Sequence, residues 1–405
     1  MISLADIQSA AQVLQGKILR TPLIYSPTFS RMAGAKVYLK LENLQEGGSF
    51  KVRGATYKIQ SHLAGLQSKG VVAASVGNHA QGVALAARAA GVSATIIMPS
   101  WASLAKQQAT RGYGAELILS GESLAESIEI ARRLALETGR MFIHPYDDEE
   151  VIAGQGTIGL EILEDLPDPD FILVPVGGGG LIAGIATAVK ALRPAARVVG
   201  VQAAACPSAL KALKSGKPIA LEDVQEKSSL ADAIMVTQVG KADYPILQNL
   251  VDEIVTVDEN QISSAMLLLL ERKRILAEGA GAVPLAALLR PTFDLPEGSK
   301  VVLVISGGNV DNLLLDRVIH QGLRQEGRLM SFSVSLEDVP GSLARLLNLV
   351  AEHQANVVNI HHARNEKGLS INFTRVDLEL ETRGFDHQSE IGKELKRAGY
   401  IIQLR

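Results

Sequence analysis

Several short segments of this chain carry residue types from which a chemical site can be built. In "GGSFKVRGA", residues 47–55, Lys51 directly follows Phe50, with glycines on either side and no carboxylate close in sequence. A lysine amine can form a Schiff base with an aldehyde, provided the amine can be neutral. An apolar neighbour and a lack of nearby carboxylates both favour that neutral form, and Arg53 pushes the same way if it faces the same space. In "VPVGGGGLIAGIATAVKALR", residues 174–193, an apolar run enters Gly177, Gly178, Gly179 and Gly180, and a helical pattern follows. Without Cβ atoms, backbone N–H groups there can converge on one anion. The helix N-terminus adds positive potential, so the segment suits a phosphate. A tight turn accounts for one or two glycines; four in a row before a helix favour the phosphate. No Gly-Lys-Ser/Thr follows, so this is not a P-loop. Nor is it a dinucleotide fingerprint, because the next strand pattern, "RVVGVQ", ends in Gln202 and not in an acid.

Three further segments have the same form of apolar run, small residues and polar groups. "ASVGNHAQG", residues 74–82, offers Ser75, Asn78 and His79 beside a helix start, which suits a small carboxylate. Each of these residues alone reads equally as a cap or a structural group. "VISGGNVD", residues 304–311, places Ser306 at the end of an apolar run. "AEGAGA", residues 277–282, puts Glu278 just ahead of a helix start, where the helix dipole alone favours a carboxylate.

The elements that must position these segments follow from hydrophobic patterning. Strands are expected at 35–42, 70–75, 94–99, 115–120, 171–176, 197–202, 252–258 and 300–306. Several are continuous Val/Ile/Leu runs, as strands buried on both faces require. Helical patterns at 80–91, 123–139 and 181–193 alternate with them, which argues for α/β folding around parallel sheets. Ligands in such sheets bind beyond the carboxyl ends of the strands, and the glycine-bearing segments follow those ends. Near residue 328 the pattern changes, and the last part of the chain reads as a ferredoxin-like βαββαβ unit of roughly eighty residues.

Composition bounds the function. A chain of 405 residues exceeds one ordinary core, so two or three domains are expected. With 47% hydrophobic residues, 20% charged residues and a net charge of −3, no large positive field draws nucleic acid or an anionic membrane. No apolar run is long enough to span a bilayer. The amphipathic start "MISLADIQSAAQVLQGK" lacks the form of a signal peptide. Cys206 is the only cysteine, which excludes an internal disulfide or a cysteine-based zinc cluster and fits a cytoplasmic location.

Taken together, "GGSFKVRGA", "SVGNHAQGVA", "YDDEEVIAGQGTIGLEI", "VPVGGGGLIAGIA", "EGAGA" and "SGGN" resemble the threonine ammonia-lyases, or threonine dehydratases, of the fold type II pyridoxal-phosphate enzymes. The resemblance covers roughly residues 4–322, and the order of motifs matches throughout. The tail, with "DVPGSLARLL", is similar to an ACT domain, a small-molecule regulatory module. The resemblance implies a catalytic domain over 1–325, two α/β subdomains around parallel sheets with the smaller inserted at roughly 50–145, and an ACT domain over 328–405.

By the same resemblance, Lys51 matches the lysine bonded to pyridoxal 5'-phosphate, and Phe50 the residue packed on its ring. Asn78 matches the partner of the 3′-oxygen. Gly177, Gly178, Gly179, Gly180 and Leu181 match the phosphate cradle, and Ser306 the hydroxyl at the pyridine nitrogen. Ser75, Asn78 and His79 fall in the loop that holds the substrate carboxylate, with Glu278 and Ala233 as active-site support. A neutral hydroxyl at the ring nitrogen makes a weaker electron sink than an Asp would, which suits early loss of a β-leaving group. The implied reaction converts L-threonine to 2-oxobutanoate and ammonia, Lys51 removing the Cα proton, with L-serine to pyruvate as a side activity. Isoleucine, with valine as an opposing ligand, is the implied effector, at Pro340, Gly341, Ser342, Leu343, Asn356 and His361 between paired ACT domains. A homodimer or homotetramer acting in isoleucine biosynthesis, without nucleic acid or membrane partners, completes the expectation.

Departures from the pattern separate relatives. Serine racemases carry a second catalytic serine where this chain has Val76, which donates no proton. They also bind a divalent cation through acids where Gln202 and Ser208 stand here. Such a cation needs anionic oxygens, so no metal is expected. In "SSLADAIMV", 228–236, Ala233 replaces the glycine of the lyase pattern, and one extra methyl bears on substrate preference.

Overall fold

The computed structural model describes residues 1–405 except 103, 222–228, 291, 292, 294, 365–368 and 405, and the side chain of residue 105. Ser228, the first residue of the "SSLADAIMV" segment, lies outside the described residues. The chain divides into two compact units, Met1–Asp311 and Asn312–Arg405.

Among the described residues, the first unit contains ten strands: β1 Leu23–Tyr25, β2 Lys36–Leu41, β3 Val71–Ala74, β4 Ala94–Met98, β5 Glu116–Leu119, β6 Met141–Phe142, β7 Phe171–Pro175, β8 Arg197–Ala203, β9 Glu253–Val257 and β10 Lys300–Ile305. They form two sheets. The six-stranded sheet runs β1-β2-β10-β7-β8-β9, and the four-stranded one β5-β4-β3-β6. Only β1 is antiparallel; the register Val301↔Val37, Val301↔Phe171 and Phe171↔Arg197 runs parallel across the centre of the larger sheet. Every residue of β3, β4 and β7 is buried, so the apolar runs of the sequence are strands covered on both faces. Each expected strand is present, trimmed by one residue at one or both ends except β8, which runs one residue longer. The short β1 and β6 were not anticipated; three and two residues are too few to leave a periodic pattern.

Helices cover these sheets. Gly180–Leu192 follows β7 and is buried from Gly180 to Val189. Glu149–Asp165, which holds the "IAGQGTIGLEI" segment, begins where the Asp148 carboxylate accepts from the N–H groups of Glu150 and Val151. The N-terminal helix Leu4–Leu14 starts in a Ser3–Asp6 capping box and buries Ile7, Ala10 and Leu14. One apolar core lies on the larger sheet, with Ile152, Ile172, Val174, Ile182 and Val302 at its centre. A second lies on the smaller sheet around Val71, Ala73, Val83 and Ile96.

The second unit opens with the helix Asn312–Gln325. A four-stranded antiparallel sheet follows, in the order β12-β13-β11-β14, from β11 Leu329–Glu337, β12 Asn356–Ala363, β13 Phe373–Glu381 and β14 Ile402–Leu404. Helices Ser342–Glu352 and Phe385–Arg397 complete the βαββαβ order, packed through Leu346, Val350, Ile391 and Leu395. The expected α/β class and the ferredoxin-like tail are both present. Among the described residues, no helix is long and apolar enough to cross a membrane.

Candidate active site

All the glycine-bearing segments converge on one cavity in the first unit, of about 170 Å³. Its wall includes Phe50, Lys51, Ser75, Asn78, His79, Gly177, Gly178, Gly179, Gly180, Leu181, Ala233, Glu278 and Ser306. They meet because β3, β7 and β10 end at this side and the chain turns into helices there. Asn78–Ala89 follows β3, Gly180–Leu192 follows β7, and Ser306 directly follows β10. Phe50 N donates to Ser306 O at 3.1 Å, and Ser49 bridges Gly307, tying the lysine segment to the end of β10.

Lys51 is the first residue of the helix Lys51–Ser61, so the segment is less open than its glycines suggest. Its Nζ donates to Pro145 O at 2.6 Å and lies 5.0 Å from the Phe50 ring centroid. Burial pushes this ammonium down to about 8, against the opposing pull of Asp243 and Glu278. Two carboxylates distant in sequence therefore act on Lys51, contrary to the carboxylate-poor setting read from its neighbours. Arg53 does not face the cavity. It is buried and paired with Glu42 and Glu161, at 2.8 and 2.7 Å.

The loop after β3 carries a hydrogen-bonded chain. Asn78 Nδ2 donates to Glu278 Oε1 at 2.7 Å, and Asn78 Oδ1 accepts from Asn309 Nδ2 at 2.8 Å. Burial, with Asp232 adding to it, pushes the Glu278 carboxyl up to about 7. Ser75 Oγ accepts from Gly77 N at 3.1 Å. His79 Nε2 lies 3.0 Å from Ile143 O, which makes that nitrogen the donor. Its Nδ1 is buried and has no partner. Burial first, then Lys51, holds the ring down near 3. A neutral imidazole with Nδ1 as acceptor and Nε2 engaged by Ile143 O has no side-chain donor left for a carboxylate.

The tetraglycine loop is a cradle without side chains. Gly179 has φ +116°, and a Cβ at Gly178 would strike the Tyr146 ring. Val76 and Ala233 line the cavity as the sequence placed them, and neither offers a proton. Gln202 Nε2 lies 3.3–3.5 Å from Val176 O, Cys206 O and Ser208 Oγ. Among the described residues, no group of three or more His, Cys, Asp or Glu is placed to hold a metal.

Sequence reasoning missed several contributors. Pro145 supplies a carbonyl to Lys51, and Tyr146 walls the glycine loop. His144 Nδ1 shapes that turn by accepting from Asp147 N at 2.8 Å. Lys106 and Asp232, both on the cavity wall, pair at 3.0 Å. For the first three, the one available signal was the position of "HPYDD" before the "IAGQG" helix; Lys106 and Asp232 left none.

In the second unit, Pro340 and Gly341 are exposed, Ser342 is buried at the start of its helix, and Leu343 is half-buried. Asn356 and His361 lie on β12, nearly all of which is exposed.

The family profile described as pyridoxal-phosphate dependent enzyme matches residues 14–307, and the ACT domain profile matches residues 330–384. An L-threonine ammonia-lyase of Thermotoga maritima is 47% identical over 405 residues, covering 100% of both chains. Among solved structures, a threonine deaminase from T.th. shares 42% identity at a TM-score of 0.72, over 76% of this chain and 99% of that one. Maize serine racemase shares 35% identity at a TM-score of 0.74, over 80% and 98%.

Proposed function

Because this chain belongs to the pyridoxal-phosphate dependent enzymes, we propose that it is a lyase that deaminates L-threonine to 2-oxobutanoate and ammonia. L-Serine is a slower second substrate, giving pyruvate. The observation that carries this reading is Lys51, a lysine with its pKa lowered to about 8, on the wall of the cavity that the tetraglycine loop also lines.

The cavity fits the cofactor. A side-chain-free cradle starts a buried helix, which suits a phosphate. An amine that is neutral in part at pH 8 faces the same space, which suits an aldehyde. Gly177, Gly178, Gly179, Gly180 and Leu181 would hold the phosphate, Phe50 the ring face, Asn78 the 3′-oxygen and Ser306 the ring nitrogen. When bound, the cofactor supplies an aldehyde that links to the substrate amine and a conjugated ring that accepts the electron pair released at Cα.

The chain's own groups do the rest. Lys51 Nζ, neutral once it has lost its proton, takes the proton from Cα of threonine. Pro145 O fixes the direction of that amine. The N–H groups at the start of helix Asn78–Ala89, with Ser75, bind the substrate carboxylate. Glu278, held near neutrality, keeps Asn78 oriented. Val76 offers no proton to the face opposite Lys51, which supports elimination over racemisation despite the likeness to a racemase. Ala233 narrows the pocket beside the substrate side chain.

Residues 1–325 carry catalysis in this reading, and 328–405 carry regulation. Isoleucine, opposed by valine, binds near Pro340, Gly341, Ser342, Leu343, Asn356 and His361 where two ACT domains pair. The protein works as a homodimer or homotetramer in the cytoplasm. The test is 2-oxo acid release by the cofactor-loaded protein from L-threonine and L-serine, with isoleucine titrated in. Faster release from threonine and an isoleucine-shifted saturation curve are expected. A preference for serine overturns the substrate, and an unmoved curve overturns the effector.

A further inference from the structure

Asp243 is a buried carboxylate that the reaction above does not use. Neither of its oxygens has a hydrogen-bond partner. It sits at the cap position of the helix Tyr244–Leu250, yet its side chain caps nothing. It packs instead against the phosphate loop: a Cβ at Gly179 would lie 2.7 Å from Cβ of Asp243. A Cβ at Gly240 would strike Oδ2 of Asp243, and the Gly240 N–H donates to Gly178 O at 2.9 Å. The carboxylate is therefore wedged behind the backbone that receives an anion.

We propose that Asp243 is the proton-carrying floor of the phosphate loop, so that seating a phosphate on Gly177–Gly180 is coupled to uptake of a proton by the Asp243 carboxylate. The inference rests on the reading of that loop as the cofactor's phosphate site. An unpaired carboxylate behind the loop repels an anion in front of it, and a neutral carboxyl group does not. The charged and titratable groups facing Asp243 are Lys51, which favours its ionised form, and Asp147 and Asp148, which oppose it; the Tyr146 phenol is raised by burial first and then by Asp243. Burial acts with the two aspartates, and the carboxyl is held well above its usual range. Lys241, beside it in sequence, is exposed.

The experiment titrates cofactor-free, full-length protein with pyridoxal phosphate and, separately, with pyridoxal, by calorimetry in buffers of different ionisation enthalpy. Borohydride reduction and peptide mapping establish attachment at Lys51. Work at about pH 8 keeps the phosphate ester a dianion, since its second pKa is near 6, and both ligands engage Lys51 alike. Pyridoxal phosphate should take up more protons than pyridoxal, and its relative affinity should fall as the pH rises. In Asp243→Asn that difference should vanish. Equal proton uptake with both ligands in the wild-type protein overturns the inference, even if the variant does not fold. Failure of pyridoxal phosphate to attach to Lys51 at all overturns the underlying reading of the loop as well.

Discussion

Two cations stand two residues apart at the start of one helix and meet opposite fates. Lys51 faces the cavity, bonds only a neutral carbonyl and has its ammonium pushed down to about 8. Arg53 is fully buried, yet Glu42 and Glu161 outweigh its burial, and it is held above the usual value. Lys40 joins the same cluster through Glu161, and Thr21 hydrogen-bonds Glu42 within it. Lys40, buried beside Glu161, is nevertheless pushed down by its burial, so ionisation follows the balance of burial against paired carboxylates. The back of the helix is a set of two buried cations and two acids. The front presents an amine free to lose its proton.

The comparison can be broken from either side. Lys51→Ala removes the front. Turnover on threonine should drop by at least about 10²–10⁴, and borohydride should leave no cofactor on the 47–61 peptide by mass spectrometry. Normal turnover would end the assignment. Arg53→Met removes the back, strands Glu42 without its cation and leaves Glu161 with Lys40 alone. Urea unfolding of the cofactor-free protein should show a loss of about 3–5 kcal/mol, and an unchanged midpoint would mean the cluster fixes nothing.

Glu278 sharpens the same contrast as an acid whose burial favours the neutral form. Its pKa is near 7 in the folded protein and about 4.3 in the unfolded chain. Between those values the native state holds the extra proton, so this group's contribution to stability falls as pH rises through the window. Glu278→Gln should flatten that slope in pH-dependent unfolding of the cofactor-free protein; an unchanged slope assigns it elsewhere. The smallest effect is expected at Ala233. Ala233→Gly should shift the threonine-to-serine ratio of kcat/KM by about tenfold or less, read from steady-state rates on both substrates. A larger shift would make this methyl the main selector.

Much of the site was legible because its signals are local. Gly177–Gly180, Ser75–His79 and Ser306 each follow an apolar run that becomes a buried strand, and β strands in such sheets end at the ligand side. The opposite facing of Arg53 was also within reach. Once a helix starts at Lys51, two residues turn it by roughly 200°, which sends the two side chains apart. Pro145 and Tyr146 had only the place of "HPYDD" before the "IAGQG" helix to mark them, and Asp243 had nothing. They reach Lys51 and the glycine loop through contacts spanning many residues, and β6, which brings Pro145 into place, has only two residues to announce it. Asp243 carries no signal in the sequence, and packing alone shows that its side chain caps nothing.

The most direct test of the contrast between the two cations is the rate at which pyridoxal phosphate attaches to Lys51 in the cofactor-free protein, followed by absorbance from about pH 6 to pH 11, a range set by ordinary lysine values. Only the neutral amine attacks, so the rate should rise with pH and level off above a midpoint near 8. A midpoint near the ordinary lysine value of about 10.4 would contradict the account, because burial would then not have lowered the Lys51 amine at all.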